Sequence, residues 1–165
     1  VGQEIFAMES KRLIQRVVVG GVIFDKEDRV LILQRSKDED VFPEIWELPS
    51  GKREFFEDSQ SGLIREIKEE TGLSKIKIIM PFYVFEYKIE KQEEIRDTTQ
   101  INFLVKLLED EKVKLSKEHQ NFAWINKDEV KKYKLSEATK NVILKAFELL
   151  KKIDLSDEKL KIDSI

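Results

Sequence analysis

Between Gly51 and Leu73 the chain reads GKREFFEDSQSGLIREIKEETGL, and its glutamates fall at a spacing that chemistry can use. On a helix of 3.6 residues per turn, Glu66, Glu69 and Glu70 project at roughly 0°, −60° and +40°, a single face, with Leu63, Ile64 and Ile67 supplying the buried side. Like charges three and four residues apart cost a helix about 0.2–0.5 kcal/mol per pair, a cost that a bound cation reverses. Carboxylates without a neighbouring thiolate or imidazole suit Mg²⁺ or Mn²⁺ rather than Zn²⁺ or copper. Magnesium shares its shell with substrate phosphates, which points to phosphate chemistry: the ion neutralises developing oxygen charge and lowers the pKa of an attacking water. Arg65 precedes Glu69 by four residues, the spacing of an ion pair, and can alternatively reach back to Glu57 to hold that carboxylate. A bare run of alternating charge is ordinarily a solvated helix face, so the flanking residues decide the reading.

The elements that position these side chains are legible from periodicity. Asp58 or Ser59 can cap a helix running from about Asp58 to Thr71, and Gly72 ends it in a left-handed conformation. Ahead of it, residues 16–25 and 29–36 are β-branched apolar runs either side of a turn, which predicts a hairpin. Residues 37–47 lose periodicity around Pro43, and WELPSG is a short extended piece stopped by Pro49 and Gly51. Strands are expected over 76–89, 98–108 and 121–125, then helices over KDEVKKY and Ser136–Lys152.

With 165 residues, 41% of them hydrophobic and 38% charged, the chain has the composition of one globular domain with a densely charged surface. We place that domain at residues 8–152, with 1–7 as an extension before Met8 and 153–165 as a tail without assigned chemistry. Thirty basic against thirty-three acidic side chains leave a net charge of −3, no overall field for a nucleic-acid backbone or an anionic membrane. The absence of cysteine removes thiolate nucleophiles and disulfides. No apolar run approaches a membrane span, and the N-terminal residues lack a secretory pattern, so the expected location is cytoplasmic.

Written with its spacings, the acidic stretch is Gly51, five residues, Glu57, seven residues, Arg65-Glu66-Ile67, one residue, Glu69-Glu70, one residue, Gly72-Leu73. This resembles the Nudix box, G-x5-E-x7-R-E-U-x-E-E-x-G-U with U aliphatic, at every defined position, and the weaker likeness extends over about Arg16 to Lys152. Two positions depart from the commoner family pattern: Ser50, tolerated if its backbone needs no positive φ, and Gly62, which lowers helix propensity and permits closer packing. The resemblance implies an α/β fold, the Nudix α/β/α sandwich with a central mixed sheet. It also implies hydrolysis of a small nucleotide in which a nucleoside diphosphate is linked to another moiety. By position, Glu66, Glu69 and Glu70 look like metal ligands, with the Gly51 carbonyl as a further one. Glu57 looks like the residue that completes the acidic site, directly or through water, and Arg65 like its orienting partner.

Outside the box, Glu118 resembles a family glutamate that binds metal or acts as base ahead of a late strand. Glu93, Glu94 and Asp97 are acidic rivals, a box glutamate is itself the base in some members, and His119 reads as a loop residue. Arg35, at the end of the second predicted strand, resembles a phosphate contact. The loops over 37–47 and 88–98 are candidates for reading the substrate, and a homodimer is compatible with the family. A non-catalytic binding domain of the same fold is the alternative reading; its usual sign, loss of box glutamates, is absent. An isomerase sharing the fold would want a reactive cysteine, which the chain lacks.

Overall fold

The computed structural model describes residues 11–162. Among these residues seven strands form one mixed sheet: β1 (Arg12–Phe24), β2 (Val30–Arg35), β3 (Trp46–Glu47), β4 (Ser50–Lys52), β5 (Ile76–Glu90), β6 (Glu94–Leu107) and β7 (His119–Ile125). Helix α1 (Ser59–Thr71) follows β4, and a 3₁₀ turn (Lys127–Lys132) leads into α2 (Glu137–Ile162). The sheet runs β3-β2-β1-β6-β5, with β4 added to β1 and β7 to β2. β1 lies parallel to β6 from Arg12 opposite Glu94 to Phe24 opposite Lys106.

Alternation along the strands divides the core in two. Val22 and Phe24 of β1, Val30 and Ile32 of β2 and Leu104 of β6 pack with Val142, Ile143 and Ala146 of α2. Their neighbours Val19, Ile23, Leu31, Leu33, Phe103 and Val105 pack with Leu63 and Ile67 of α1. The result is the expected sandwich of one helix on each sheet face. Gly21 makes the α1 side close: a Cβ there would lie 3.2 Å from Ile67 and 3.4 Å from Leu63.

Several expectations need correction. The predicted hairpin of β1 and β2 is paired only at Phe24 and Val30. Beyond that pair the edge of β1 is taken by β4, from Val18 opposite Lys52 to Gly20 opposite Ser50, while β2 turns away to β7 and β3. Ile64 is 46% exposed, so the buried stripe of α1 is Leu63, Ile67 and Thr71, joined by Glu70. Residues 88–98 are mostly strand, with β5 and β6 continuing to a tight turn in which Lys91 N donates to Glu94 O. The segment expected to be a tail continues α2 through Ile162; Ile153 packs against the core and Lys106 reaches Asp154 at 3.5 Å. The expected boundary at residue 8 lies outside the described residues, among which no helix is long and apolar enough to cross a membrane.

Candidate active site

The site is built where β4 meets α1. Asp58 caps the helix, its carboxylate accepting from Ser61 N at 2.9 Å, and Gly72 closes it at φ +74. This fixes which glutamates face the strand. Gly51 is required by space, since a Cβ there would stand 2.0 Å from Glu66 Cδ; the Glu66 carboxylate lies against the bare backbone. Gly62 plays a similar part for Glu57, whose Oε2 would be 2.8 Å from an added Cβ. Ser50 stays outside the left-handed region, so a side chain is tolerated there.

The carboxylates fan from solvent to interior instead of sharing one exposed face. Glu69 is exposed, Glu66 is half-buried and Glu70 is only 5% exposed. Glu70 Oε2 accepts from Ser50 N at 3.1 Å. Burial, followed by repulsion from Glu47, pushes the Glu70 carboxyl well above the ordinary range. Burial also raises Glu66, opposed by Arg65.

Arg65 organises the outer half of the site. Its Nε and Nη2 grip the two oxygens of Glu57 at 2.8 and 2.9 Å, Nη1 donates to Glu66 at 2.7 Å and more weakly to Glu69 at 3.4 Å, and Nη2 also reaches the Lys52 carbonyl at 3.2 Å. Of its two expected partners, Glu57 therefore receives the two-pronged contact. That grip, with the Glu54 N–H, lowers the Glu57 carboxyl to about 2.

The inner half contains residues from outside the box. Glu118 and His119, at the start of β7, bring donor atoms within 4.8 Å of one another and of Glu70. His119 is buried in β7 rather than exposed in a loop; its Nε2 lies 2.8 Å from Glu47 Oε1, while its Nδ1 is buried without a partner. Glu47 had no signal in the spacing, because it stands ahead of the box and meets His119 only through the pairing of β2 with both β3 and β7. Among the rival acids, Glu94 is held by Arg12 at 3.0 Å and by Arg96 at the far end of β6.

Arg35 is engaged by protein groups: Glu47 and Glu39 at 3.1 Å each, and the Val41 carbonyl at 2.9 Å. It thus ties the 37–47 loop to β3. Beside it a cleft of about 550 Å³ is lined by Phe42, Trp46, Glu47, Tyr87 and Thr139 among others. Trp46 stacks edge-on to Tyr133 at 4.8 Å and belongs largely to the core.

This donor set fits a divalent cation. It concentrates carboxylate oxygens around a buried glutamate with a single backbone donor, adds an imidazole without a partner on Nδ1, and presses Glu66 into a cradle that only glycine leaves open.

A mixed sheet between two helices, one of them acidic and braced by Arg65, is an arrangement suited to a metal-assisted hydrolase. The NUDIX domain model matches residues 14–146, and the chain belongs to that hydrolase family. It is 37% identical over 123 residues to an RNA pyrophosphohydrolase of a Nitratiruptor species, covering 70% of this chain and 77% of that protein. It is 26% identical over 134 residues to the nucleoside triphosphatase NudI of Escherichia coli, covering 78% and 94%. The crystal structure of a MutT protein from Methanosarcina mazei Go1 superimposes with a TM-score of 0.65 at 25% identity, covering 86% of this chain and 97% of that one.

Proposed function

We propose that this enzyme hydrolyses a pyrophosphate linkage between a nucleoside diphosphate and a second moiety, at a site holding Mg²⁺ or Mn²⁺. Glu66, Glu69, Glu70 and the Gly51 carbonyl are the proposed ligands, with Glu118 and His119 adjoining them. The observation that carries the reading is Glu70: a carboxyl group 5% exposed, near Glu47, with one backbone donor, is costly to ionise there, and a bound cation would offset that cost. When bound, the metal supplies charge neutralisation on the phosphate oxygens and a water of lowered pKa.

The chain's own groups divide the remaining work. Glu118 is exposed, adjoins Glu70 and has no cation within ion-pair distance among the described residues, which supports its role as the base that accepts a proton from the attacking water. Arg65 and Glu57 position Glu66, because one guanidinium holds both carboxylates. Arg35 is held by Glu39 and Glu47, so a substrate phosphate arriving at its guanidinium competes with those two carboxylates. The relatives' names cover an RNA and a mononucleotide, so their common element is the pyrophosphate linkage rather than the moiety attached to it.

The test is phosphate or pyrophosphate release from a panel of nucleotides, with and without Mg²⁺, for the parent and Glu70→Gln. Metal-dependent turnover should fall by about 10²–10³-fold, the scale of losing one preorganised electrostatic contact. In metal-free buffer the same variant should melt no lower than the parent, since glutamine replaces a buried group that is costly to ionise with a neutral one of the same shape. Metal binding by the parent without turnover on any substrate would return the chain to the binding-domain reading.

A further inference from the structure

The loop between β4 and α1 carries two neighbouring phenylalanines in full solvent. Phe55 is 93% and Phe56 105% exposed, with ring centroids 6.2 Å apart and planes tilted by 44°. Phe56 also holds φ +64, a left-handed conformation that glycine adopts freely and a bulky side chain adopts under strain. Rings that pack against nothing buried, on a strained backbone, add little to folding, so an outlier of this kind points to an occupant.

The surroundings indicate its chemistry. The rings border an open groove of about 1000 Å³ that also receives Arg16 from β1, Lys52 from β4 and Arg53 from the loop. Its acids are mostly committed: Glu57 to Arg65 at 2.8 Å, Glu94 to Arg12 and Arg96, and Asp58 to the helix N-terminus. Arg16, Lys52 and Arg53 have no carboxylate within ion-pair distance among the described residues; of the groove acids, Glu54 and the helix-capping Asp58 likewise have no cation within that distance. The chain's net charge of −3 averages over this local excess of cations. The groove is also contiguous with the acidic site, because Glu57 lines it and Arg65 grips Glu57, Glu66 and the Lys52 carbonyl together. Flat rings interleaved with cations match a single nucleic-acid strand, whose base faces are open for stacking while its phosphates meet the basic side chains.

We propose that a single-stranded nucleic acid lies in this groove, its bases on Phe55 and Phe56, its phosphates on Arg16, Lys52 and Arg53, and one end at the acidic site. The inference rests on the pyrophosphohydrolase reading and narrows it: the moiety attached to the diphosphate is then the strand itself.

The experiment is a fluorescence-anisotropy titration of a labelled, 5′-phosphorylated ten-residue oligoadenylate against the full chain, the double variant Phe55→Ser/Phe56→Gly and the double variant Lys52→Gln/Arg53→Gln. The phenylalanine variant should bind about tenfold more weakly or worse, the scale of losing base stacking. The charge variant should flatten the dependence of log affinity on log salt by about 1.4, or roughly 0.7 per lost phosphate contact. Glycine accepts the backbone conformation at position 56, so an unaltered melting temperature for the phenylalanine variant separates lost contact from lost fold. Equal affinity in parent and phenylalanine variant would overturn the proposal, as would adenosine monophosphate competing as well as the strand. A concentration-dependent dimer that disappears in the phenylalanine variant would also overturn it, by assigning the rings to a second copy. Failure of the parent to release phosphate or pyrophosphate from any nucleotide, with phenylalanine-dependent strand binding intact, would sink the hydrolase reading and support the groove.

Discussion

Glu57 and Glu70 are thirteen positions apart in one acidic stretch and are driven to opposite ends of the carboxylate range by their neighbours. Arg65 grips both oxygens of Glu57 and lowers its pKa from 4.5 to about 2; burial raises Glu70. For Glu57 the linkage to stability has a definite sign. The folded value is below the ordinary one, so the ion pair's contribution is fully present above about pH 4.5 and is lost as pH falls toward 2. Glu57→Gln should therefore lower stability at pH 6 and bring the two proteins together near pH 2, as urea unfolding at a series of pH values would show. Parallel acid profiles for parent and variant would mean that the Arg65 grip is not maintained in solution. The nine defined positions from Gly51 to Leu73 were legible because they are local, with a fixed spacing on one turn and one helix. Glu47 and His119 were not, because their contact spans 72 residues of chain and exists only once β2 pairs with both β3 and β7.

Helix α1 shows the same division between local and long-range information. Its two ends follow from residue chemistry: an aspartate whose side chain accepts from Ser61 N, and a glycine at φ +74 whose N–H bonds Lys68 O at 2.9 Å. Gly72→Ala should cost about 1–2 kcal/mol, the penalty of a left-handed L residue, and the added Cβ would also stand 3.3 Å from Lys114 Cβ. Chemical denaturation would register this as a lower midpoint at unchanged slope; an unmoved midpoint would show that the helix ends elsewhere. Which residues of α1 are buried was less legible. A helical projection grouped Ile64 with Leu63 and Ile67, yet the sheet reaches only as far round as Leu63, Ile67 and Glu70, and Ile64 is left 46% exposed. The β1–β2 hairpin forms, but how short its pairing is was not legible for a related reason, since competition from β4 for the edge of β1 is decided by a segment some thirty residues downstream.

At the scale of the whole molecule, the sheet separates two cores with unequal bearing on chemistry. The α1 core sets the height of the glutamate-bearing helix over β1, where Gly21 allows close approach and Gly51 leaves room for Glu66. The α2 core, on the opposite face, holds α2 to the sheet through Val142, Ile143, Ala146 and Leu150. Ile67 and Ile143 are both fully buried, one in each core, and form a matched pair of probes. Either change to alanine should destabilise the chain by about 2–5 kcal/mol, from lost transfer energy and the cavity left behind. Their effects on the site should diverge. Collapse around Ile67→Ala shifts the helix whose next turn carries Glu70, and should weaken Mn²⁺ affinity about tenfold or more, the scale seen when the support of a metal ligand is disturbed. The same cavity at Ile143 lies across the sheet and should leave Mn²⁺ affinity, measured under conditions where both variants are folded, at the parent value. Equal losses in the two variants would show that the sheet transmits strain between its faces, and the division of the molecule into a site-bearing core and a supporting core would have to be abandoned.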